Sequence, residues 1–421
     1  MHKIKSVKKG RVMDKNQFLQ RYAVDRKGTS CNKWDQLGAR FGHSDLVPMW
    51  VADMDFRSCE AVVEALEKRA AHGVYGYSYV PDSYYKALSD WMEKHFSFPI
   101  NRDWVRFSSG VVPALFRFID CFTDPGDSVA IFTPVYYPFH RAVQHTGRKL
   151  VKVELQHEDG RYSIDYDAFE KAVLEENVKM LLFCSPHNPA SRVWTEQELA
   201  RLFALCEKYN VLIASDEIHQ DFVFEPHRHT PALKVEGGRY TKRILLVTAA
   251  SKTFNLAALL HSNIIIPDED LRARYDAYNA IHPLGDSNIF GALATEAAYR
   301  DGGAWYEGVK EVIYSNYQYL KQRLAQELPA VVVADLQGTY LPMLDLRAIL
   351  PEGVGTETVS VNGMPAAKNV VDFVQNRCRL AVDYGEWFGE NYAGFIRLNL
   401  GTTPEMVEKT VDAIVREAAR G

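Results

Sequence analysis

Short apolar runs separated by stretches of helical length dominate the middle of the chain. Between about residues 105 and 270 these runs occupy positions 128–132, 180–184, 211–214, 244–247 and 264–266. Continuous apolar runs that alternate with helix-length segments are typical of parallel strands covered on both faces. The pattern predicts an α/β fold in which helices sandwich a mostly parallel sheet.

Helical periodicity appears on either side of this region. Residues 59–72 place apolar side chains at helical spacing and end at Gly73, which suits a C-terminal cap. Residues 309–328 form a long amphipathic stretch, and short strands and helices alternate after it. We therefore predict a large domain over residues 59–305 and a small α+β domain over residues 306–421. The N-terminal segment, residues 1–58, is expected to join the small domain.

Composition excludes several classes of protein. The 421 residues include 49 Lys and Arg against 54 Asp and Glu, a net charge of −5, with 47% hydrophobic and 24% charged residues. These values are ordinary for globular domains, and a mildly acidic chain has no general attraction for nucleic acid. The longest apolar runs fall far short of the ~20 residues that a membrane helix needs. We expect neither a nucleic acid nor a membrane as a partner.

The cysteines and the N-terminus bear on location. Six cysteines are scattered without a C-x-x-C pair, which indicates buried thiols of a reduced protein rather than disulfides or a zinc site. The first twelve residues are basic, but no hydrophobic segment follows them, so they read as a short extension and not as a secretory signal. The expected location is the cytoplasm.

Polar side chains follow four of the apolar runs, where open α/β sheets place their ligands. Lys252 comes directly after one run, and a partly desolvated lysine there can be a Schiff-base nucleophile or can merely neutralise an acid. Asp216 ends another run, where it can pair with a protonated ring nitrogen or cap a helix. Ser109 and Gly110 precede a possible helix whose free N–H groups could attract phosphate, although ordinary capping has the same pattern.

The conjunction of these features is more specific than any one of them. A strand-end lysine preceded by a serine, a strand-end aspartate, an Asn-Pro turn after a third strand and a Ser-Gly helix start together supply the groups of a pyridoxal phosphate site. The aldehyde needs an amine, the pyridine nitrogen a carboxylate, the ring oxygen a donor and the phosphate a helix N-terminus.

Five motifs resemble those of fold-type I pyridoxal phosphate enzymes, the class I/II aminotransferase superfamily. They are WVADMDF at 50–56, SPHNP at 185–189, SDEIHQD at 215–221, SKTFNLAAL at 251–259 and RLNLG at 397–401. Within that superfamily the chain is most similar to the cystathionine β-lyase and cystalysin-like subgroup, from about residue 30 to the C-terminus. The resemblance implies the aspartate aminotransferase-like fold, a homodimer with active sites at the subunit interface, and pyridoxal 5'-phosphate as the cofactor.

The resemblance also implies roles for individual residues. Lys252 would form the Schiff base with the cofactor, Asp216 would keep the pyridine nitrogen protonated, and Asn188 would bond the ring oxygen. Arg397 would bind the substrate α-carboxylate, since a guanidinium can grip a carboxylate with two hydrogen bonds. The other implied positions are Tyr136 stacking on the ring (Tyr137 as the fallback), His219 beside it, Gly110, Val111 and Ser251 at the phosphate, and Tyr77 (or Tyr75) reaching the partner's cofactor.

Some positions depart from the family pattern. Ser191 and Ala258 stand where the family usually has glycine. Leu260 lies eight residues after the lysine, where aminotransferases often place a phosphate-binding arginine, and the expected Arg near Thr403 is missing. The phosphate contacts are therefore less well defined by sequence than the Schiff-base lysine.

The expected reaction is carbon–sulfur β-elimination from an L-amino acid, giving a thiol, pyruvate and ammonia. An aminotransferase is the alternative, because both reactions use the same lysine, aspartate and arginine. Two other classes stay open: a metal-dependent hydrolase built on His219, Asp221, His227 and His229, and a non-catalytic regulator that keeps the fold. No metal site is expected.

Overall fold

The computed structural model describes residues 13–282, 287–350 and 352–420. The basic extension predicted before Met13 lies outside the described residues. The α-helices are α1 (Lys15–Tyr22), α2 (Asn32–Asp35), α3 (Leu37–Phe41), α4 (Glu60–His72), α5 (Asp82–Phe96), α6 (Val111–Phe122), α7 (Pro138–His145), α8 (Tyr166–Glu176), α9 (Glu196–Lys208), α10 (Ala250–Thr253), α11 (Glu269–Ile281), α12 (Ile289–Asp301), α13 (Gly303–Glu327), α14 (Lys368–Val371) and α15 (Pro404–Ala418).

Strands alternate with these helices over most of the chain. They are β1 (Val47–Pro48), β2 (Val105–Ser108), β3 (Ser128–Thr133), β4 (Lys149–Glu154), β5 (Gln156–Glu158), β6 (Arg161–Ser163), β7 (Val178–Cys184), β8 (Leu212–Asp216), β9 (Ile244–Thr248), β10 (Ser262–Ile265), β11 (Val332–Val333), β12 (Met343–Asp345), β13 (Thr358–Val361), β14 (Met364–Ala367), β15 (Leu380–Ala381), β16 (Asp383–Tyr384) and β17 (Phe395–Arg397).

A seven-stranded sheet in the order β2-β10-β9-β8-β7-β3-β4 forms the centre of the molecule. Strands β4, β3, β7, β8 and β9 are parallel to one another, and β3 and β9 are buried along their whole length. The predicted α/β fold with a mostly parallel sheet is confirmed. Since β3, β7, β8 and β9 point the same way, the polar residues that follow them meet at one edge of the sheet.

One predicted strand runs in the opposite direction to its neighbours. The apolar run at 264–266 becomes β10, which is antiparallel to both β9 and β2. The connection from β9 contains only the four-residue helix α10 and a short 3₁₀ turn. A parallel return usually runs through a helix long enough to cover the sheet. The connection between β9 and β10 has no such helix, and β10 runs antiparallel to β9, a direction that an apolar run does not encode.

The two ends of the chain pair with each other beside this sheet. Strand β1 is parallel to β15, with Val47 opposite Leu380, and a second sheet has the antiparallel order β11-β12-β17-β16. Buried Asp55 joins the ends further, because its carboxylate accepts hydrogen bonds from Lys33 Nζ at 2.7 Å and from Thr402 Oγ1 at 2.7 Å. The N-terminal segment is thereby fixed against the C-terminal region.

The six cysteines are all buried and unpaired. In the described part of the chain, no helix combines the length and the apolar character that crossing a membrane requires.

Candidate active site

A cavity of about 270 Å³ lies at the edge of the sheet where β7, β8 and β9 end. Its lining includes eight of the residues proposed from the sequence, namely Gly110, Val111, Tyr136, Asn188, Asp216, His219, Ser251 and Lys252. Strand ends and the start of α6 supply these side chains, which explains why residues more than 140 positions apart in the chain meet here. Arg397 and Tyr77 are not in this lining.

Lys252 lies in the short helix α10, directly after β9. Its Nζ donates a hydrogen bond to the carbonyl oxygen of Ala52 at 2.6 Å. Burial, with a smaller effect from the charge of Arg397, lowers the pKa of Lys252 to about 8, although Asp53 and Asp216 favour the ammonium form. A much larger fraction of this amine is therefore neutral and nucleophilic near pH 8 than in an ordinary lysine.

Asp216 ends β8 with a buried side chain. One carboxylate oxygen accepts the backbone N–H of Ile218 at 3.0 Å. Burial raises the pKa of Asp216 to about 7, against the opposing effects of that hydrogen bond and of Lys252. A buried carboxylate with this pKa lacks a close cation, and a protonated ring nitrogen in the cavity would supply one.

Asn188 and Arg397 form a buried pair beside the cavity. Arg397 Nη1 donates to Asn188 Oδ1 at 2.9 Å, so the amide NH₂ of Asn188 remains as the donor for a ligand. Arg397 Nη2 bonds the carbonyl of Trp50 at 3.3 Å and forms an ion pair with Asp383. Its Nε has no partner among the described residues. Arg397 thus has one buried donor without a partner among these residues, and Asp383 neutralises its charge.

Tyr136 and His219 contribute rings to the cavity. The Tyr136 backbone is held by the carbonyl of Asn188, at 3.1 Å, and its ring lies 4.9 Å from that of Tyr137. Burial and the nearby cations Lys252 and Arg397 hold the pKa of His219 well below its usual value, so its imidazole is neutral. His219 Nδ1 is buried and has no partner within the described chain. An incoming ligand would satisfy that nitrogen.

The start of α6 forms one end of the cavity. The backbone N–H groups of a helix N-terminus are unpaired, and Ser109 and Ser251 bring hydroxyl groups to the cavity lining. Leu260 also lines the cavity, is more than half exposed, and provides no charge at the position where an arginine was expected to bind phosphate. The donors available to a phosphate from the cavity lining are therefore backbone N–H groups, hydroxyls and Lys252.

Tyr77 lies away from the cavity on the loop between α4 and α5. Its side chain is fully exposed, and Val74, Tyr75 and Tyr79 of the same loop are also exposed. Within one chain the structure does not bring Tyr77 to the site. The predicted reach across a dimer interface stays a prediction.

Sequence reasoning missed several groups that face the site. The carbonyl of Ala52 accepts from both Lys252 Nζ and Tyr340 OH, the latter at 3.0 Å. Asp53, next to it, pairs with Arg26 at 2.7 Å and acts electrostatically on Lys252. Ala52 and Asp53 lie in the WVADMDF motif, which indicated the family but not the contact of these two residues with Lys252. The sequence around Asp383 carried no signal of its pairing with Arg397.

These groups fit the expected pyridoxal phosphate. The cavity combines an amine of lowered pKa, a buried carboxylate that lacks a cation, an amide donor, an unsatisfied imidazole nitrogen and a helix N-terminus. The amine, the carboxylate, the amide and the helix N-terminus match the aldehyde, the pyridine nitrogen, the ring oxygen and the phosphate of the cofactor.

Two other expectations have structural outcomes. Ser191, at a position where the family has glycine, keeps the left-handed backbone with φ of 55° and is buried. In residues 13–282, 287–350 and 352–420, no three His, Cys, Asp or Glu side chains are grouped so that they could hold a metal ion. The structure therefore gives no support to the metal-dependent hydrolase built on the 219–229 histidines.

Comparison with known proteins identifies related sequences. Residues 44–414 match the family model described as aminotransferase class I and II. Cystathionine beta-lyase PatB of Bacillus subtilis (strain 168) is 37% identical over 378 residues, which covers 90% of this chain and 94% of PatB.

Solved structures show the same similarity. Cystalysin from Treponema denticola, which contains pyridoxal 5'-phosphate, superimposes with a TM-score of 0.87 at 32% identity, covering 94% of this chain and 98% of cystalysin. The pyridoxal phosphate-bound C-S lyase from Staphylococcus hominis gives a TM-score of 0.85 at 31% identity, covering 94% of this chain and 96% of that one.

Proposed function

The chain belongs to the aminotransferase class I and II family, and from that membership we propose a pyridoxal phosphate-dependent carbon–sulfur β-lyase. The observation that carries the proposal is the presence in one cavity of Lys252, whose pKa is lowered to about 8, and Asp216, whose pKa is raised to about 7. Relatives named cystathionine beta-lyase and C-S lyase favour elimination over transamination.

Pyridoxal phosphate is the cofactor of this enzyme. When bound, it supplies an electron-withdrawing ring that makes the substrate Cα–H acidic. Lys252 would hold it covalently through Nζ, Asp216 would pair with its ring nitrogen, and Asn188 would donate to its ring oxygen. Tyr136 and His219 would lie against the ring, and Gly110, Val111 and Ser251 would contact the phosphate at the start of α6.

Lys252 has a second role once substrate displaces it. The freed amine would accept the Cα proton, and the Ala52 carbonyl, 2.6 Å from Nζ, is placed to orient that amine. Asp53 and Asp216 would stabilise the ammonium that results. A general base needs a pKa near the working pH, and burial of Lys252 meets this requirement.

Arg397 would fix the substrate through its α-carboxylate. Its guanidinium is held by Asn188, Trp50 and Asp383, so its position is set before substrate arrives. The guanidinium also lies 4.9 Å over the ring of Phe388. A fixed carboxylate orients the bonds at Cα and Cβ, which reduces the entropy lost on reaching the transition state.

The proposed reaction breaks the Cβ–S bond of the substrate. The Cα proton goes to Lys252, the sulfur leaves as a thiol that takes up one proton, and the aminoacrylate product adds one water to give pyruvate and ammonia. The same residues would also serve an aminotransferase, which returns the proton to the cofactor instead. The choice between these outcomes is settled by the products.

The experiment incubates the purified protein with L-cystathionine or L-cysteine and measures pyruvate together with the released thiol or sulfide. We expect a yellow protein whose absorption band is reducible by borohydride, and stoichiometric pyruvate and thiol. Lys252→Ala should lose both the reducible band and the activity, whereas Lys86→Ala, at an exposed lysine paired with Asp90, should keep them. Keto acid-dependent amino transfer without pyruvate would identify an aminotransferase, and a protein that never gains colour with added cofactor would contradict the site.

We also propose a cytoplasmic homodimer. Support for the dimer comes from the exposed side chains of Val74, Tyr75, Tyr77 and Tyr79, because a contiguous apolar patch on a loop is typical of an interface. The six unpaired, buried cysteines are consistent with a reducing compartment.

A further inference from the structure

A second polar cleft, of about 400 Å³, is lined in part by Gln220 and Asp221, whereas Asp216, Ile218 and His219 of the same segment line the active-site cavity. Its walls come from the end of α5, the start of α13 and the chain from Gln220 to Lys234. This stretch contains His227 and His229, two of the three histidines that suggested a metal site, and the proposed function assigns no role to the residues that line the cleft.

Basic side chains dominate the cleft. Lys234, Lys310 and Arg228 line it, together with the imidazoles of His95 and His227. Glu225 is an exposed acid at the same cleft. The positive charges at the cleft therefore exceed the negative charge of Glu225, and an anion would be attracted.

The other nearby carboxylates already have partners. Asp221 accepts hydrogen bonds from Trp91 Nε1 at 2.9 Å and from Thr253 Oγ1 at 2.5 Å. Glu217 accepts from Ser215 and from the backbone of Ala232, and its second oxygen lies 2.8 Å from a nitrogen of His229. These contacts reduce the repulsion that either acid would exert on a bound anion.

Two lining residues have enclosed polar atoms without a partner in the described part of the chain. One is His95 Nε2, and the other is Oε1 of Gln220, a side chain that is 1% exposed. The opposite end of the Gln220 amide makes only a weak contact, with the sulfur of Met92 at 3.2 Å. Buried polar atoms of this kind normally have a partner, so their lack of one points to a ligand.

The two unpartnered atoms need different hydrogen-bond partners. In the tautomer that carries its proton on Nε2, His95 needs an acceptor oxygen, whereas the Gln220 oxygen needs a donor. The ammonium groups of Lys234 and Lys310 favour a negatively charged ligand. Lys234 Nζ donates one hydrogen bond to the carbonyl of Phe96, at 2.8 Å, and has two N–H donors left for a ligand. A ligand that satisfies all of them is an oxyanion that also carries a hydroxyl.

We propose that this cleft is a binding site for a small, multiply charged oxyanion that bears a hydroxyl group. Hydrogen phosphate and hydroxycarboxylates such as malate share this chemistry. The site is separate from the phosphate end of the active-site cavity, because none of the residues that line the two cavities is common to both.

The test measures anion binding by calorimetry at low ionic strength, with inorganic phosphate, malate and sulfate as separate probes. The protein is the holoenzyme after borohydride reduction, so that the cofactor already fills the phosphate position of the active site. We expect saturable binding of one phosphate or one malate per chain. Sulfate, which is charged but has no hydroxyl at neutral pH, should bind at least tenfold more weakly than the better of the two.

Variants connect this binding to the cleft. Lys310→Gln and Lys234→Gln should each weaken binding of the preferred anion about tenfold, since each removes a charge-assisted hydrogen bond. Gln220→Met should bring the affinities for that anion and for sulfate together, and Lys86→Gln, at an exposed lysine elsewhere, should change nothing. Absence of saturable binding, affinities unaffected by the two cleft lysines, or equal affinity for sulfate in the unmutated protein would each overturn the proposal. Circular dichroism checks that the variants are folded.

Discussion

Lys252 and Asp216 bring opposite charges into one cavity, and burial shifts their pKa values toward each other. The lysine falls from 10.5 to about 8 and the aspartate rises from 3.8 to about 7. Both shifts reflect the cost of a charge in a site with little water. The cofactor would offset part of this cost at Asp216, so the residues that prepare the site also destabilise the cofactor-free protein.

The first prediction concerns the stability of the cofactor-free protein against pH. The folded-state pKa of Asp216 lies above the unfolded value, so between about pH 4 and pH 7 the native state keeps a proton that the unfolded state loses. Stability therefore falls as pH rises through this window, by about 1.4 kcal/mol per pH unit. Between pH 5 and pH 8 the free energy of unfolding of the unmutated apoprotein should fall by about 2–3 kcal/mol more than that of Asp216→Asn. Urea unfolding of both proteins at the two pH values measures this difference.

Saturation with pyridoxal phosphate is the control, because a protonated ring nitrogen should remove most of the pH-dependent loss in the unmutated protein. Parallel pH profiles for the two apoproteins would contradict a buried, unpaired Asp216.

A second prediction separates substrate binding from structure at Arg397. Arg397→Lys keeps a cation opposite Asp383 but loses the forked donor set, so the KM for the amino acid should rise at least tenfold while cofactor colour persists. Arg397→Ala should in addition cost about 3–5 kcal/mol of stability, because Asp383 would be left buried without its partner. Steady-state kinetics and thermal unfolding report the two effects. An unchanged KM in Arg397→Lys would rule out the proposed carboxylate contact.

At the scale of elements, the strands that position the site could be predicted from the sequence, but the way their ends are held together could not. Apolar runs predicted β3, β7, β8 and β9 to within two residues at each end, because fully buried strands need apolar side chains on both faces. The reversed direction of β10 depends on a connection whose shape no apolar pattern describes. The pairing of Arg397 with Asp383 depends on the register of β16 against β17, and that of Lys252 with Ala52 joins residues 200 positions apart.

The short segment between β16 and β17 gives the third prediction. A Cβ on Gly385 would lie 2.0 Å from the carbonyl oxygen of Tyr392, so Gly385→Ala must displace the 385–392 backbone. That segment presents Phe388 to Arg397, and its Phe388 carbonyl accepts the backbone N–H of Val135 at 2.9 Å. We expect a loss of at least about 2 kcal/mol in unfolding free energy together with reduced kcat/KM.

Gly38→Ala, in helix α3, is the matched control. The added Cβ would contact only the Cβ of Ser44, at an ordinary 3.8 Å. Wild-type stability and activity in Gly385→Ala would show that the segment is freer than its contacts indicate.

At the scale of the whole molecule, the exposed tyrosine loop is the feature that a single chain leaves unexplained. The Tyr77 side chain is fully exposed, and the loop borders a groove that Ser287, Asn288, Ile289 and Ala292 help to form. The division into domains at residues 58 and 305 stays a prediction. A homodimer that covers the loop would account for its apolar character.

The fourth prediction tests this assembly. Sedimentation should show the holoenzyme at twice the chain mass. Tyr77→Phe should weaken cofactor binding at least about tenfold, the effect of losing one hydrogen bond to a charged phosphate, whereas Tyr79→Phe should not. Titration of each apoprotein with pyridoxal phosphate measures this. A monomeric holoenzyme, or equal affinities in the two variants, would contradict the interface role of Tyr77.

The pairing of β1 with β15 has a consequence for how the protein is made. Val47 cannot pair with Leu380 until residue 380 has been synthesised, and the Asp55–Thr402 contact needs residue 402 as well. Until then the 47–55 segment, which carries the Ala52 carbonyl that holds Lys252, lacks its C-terminal support on the ribosome. A chain that ends before residue 380 therefore lacks the C-terminal contacts that hold the 47–55 segment beside Lys252.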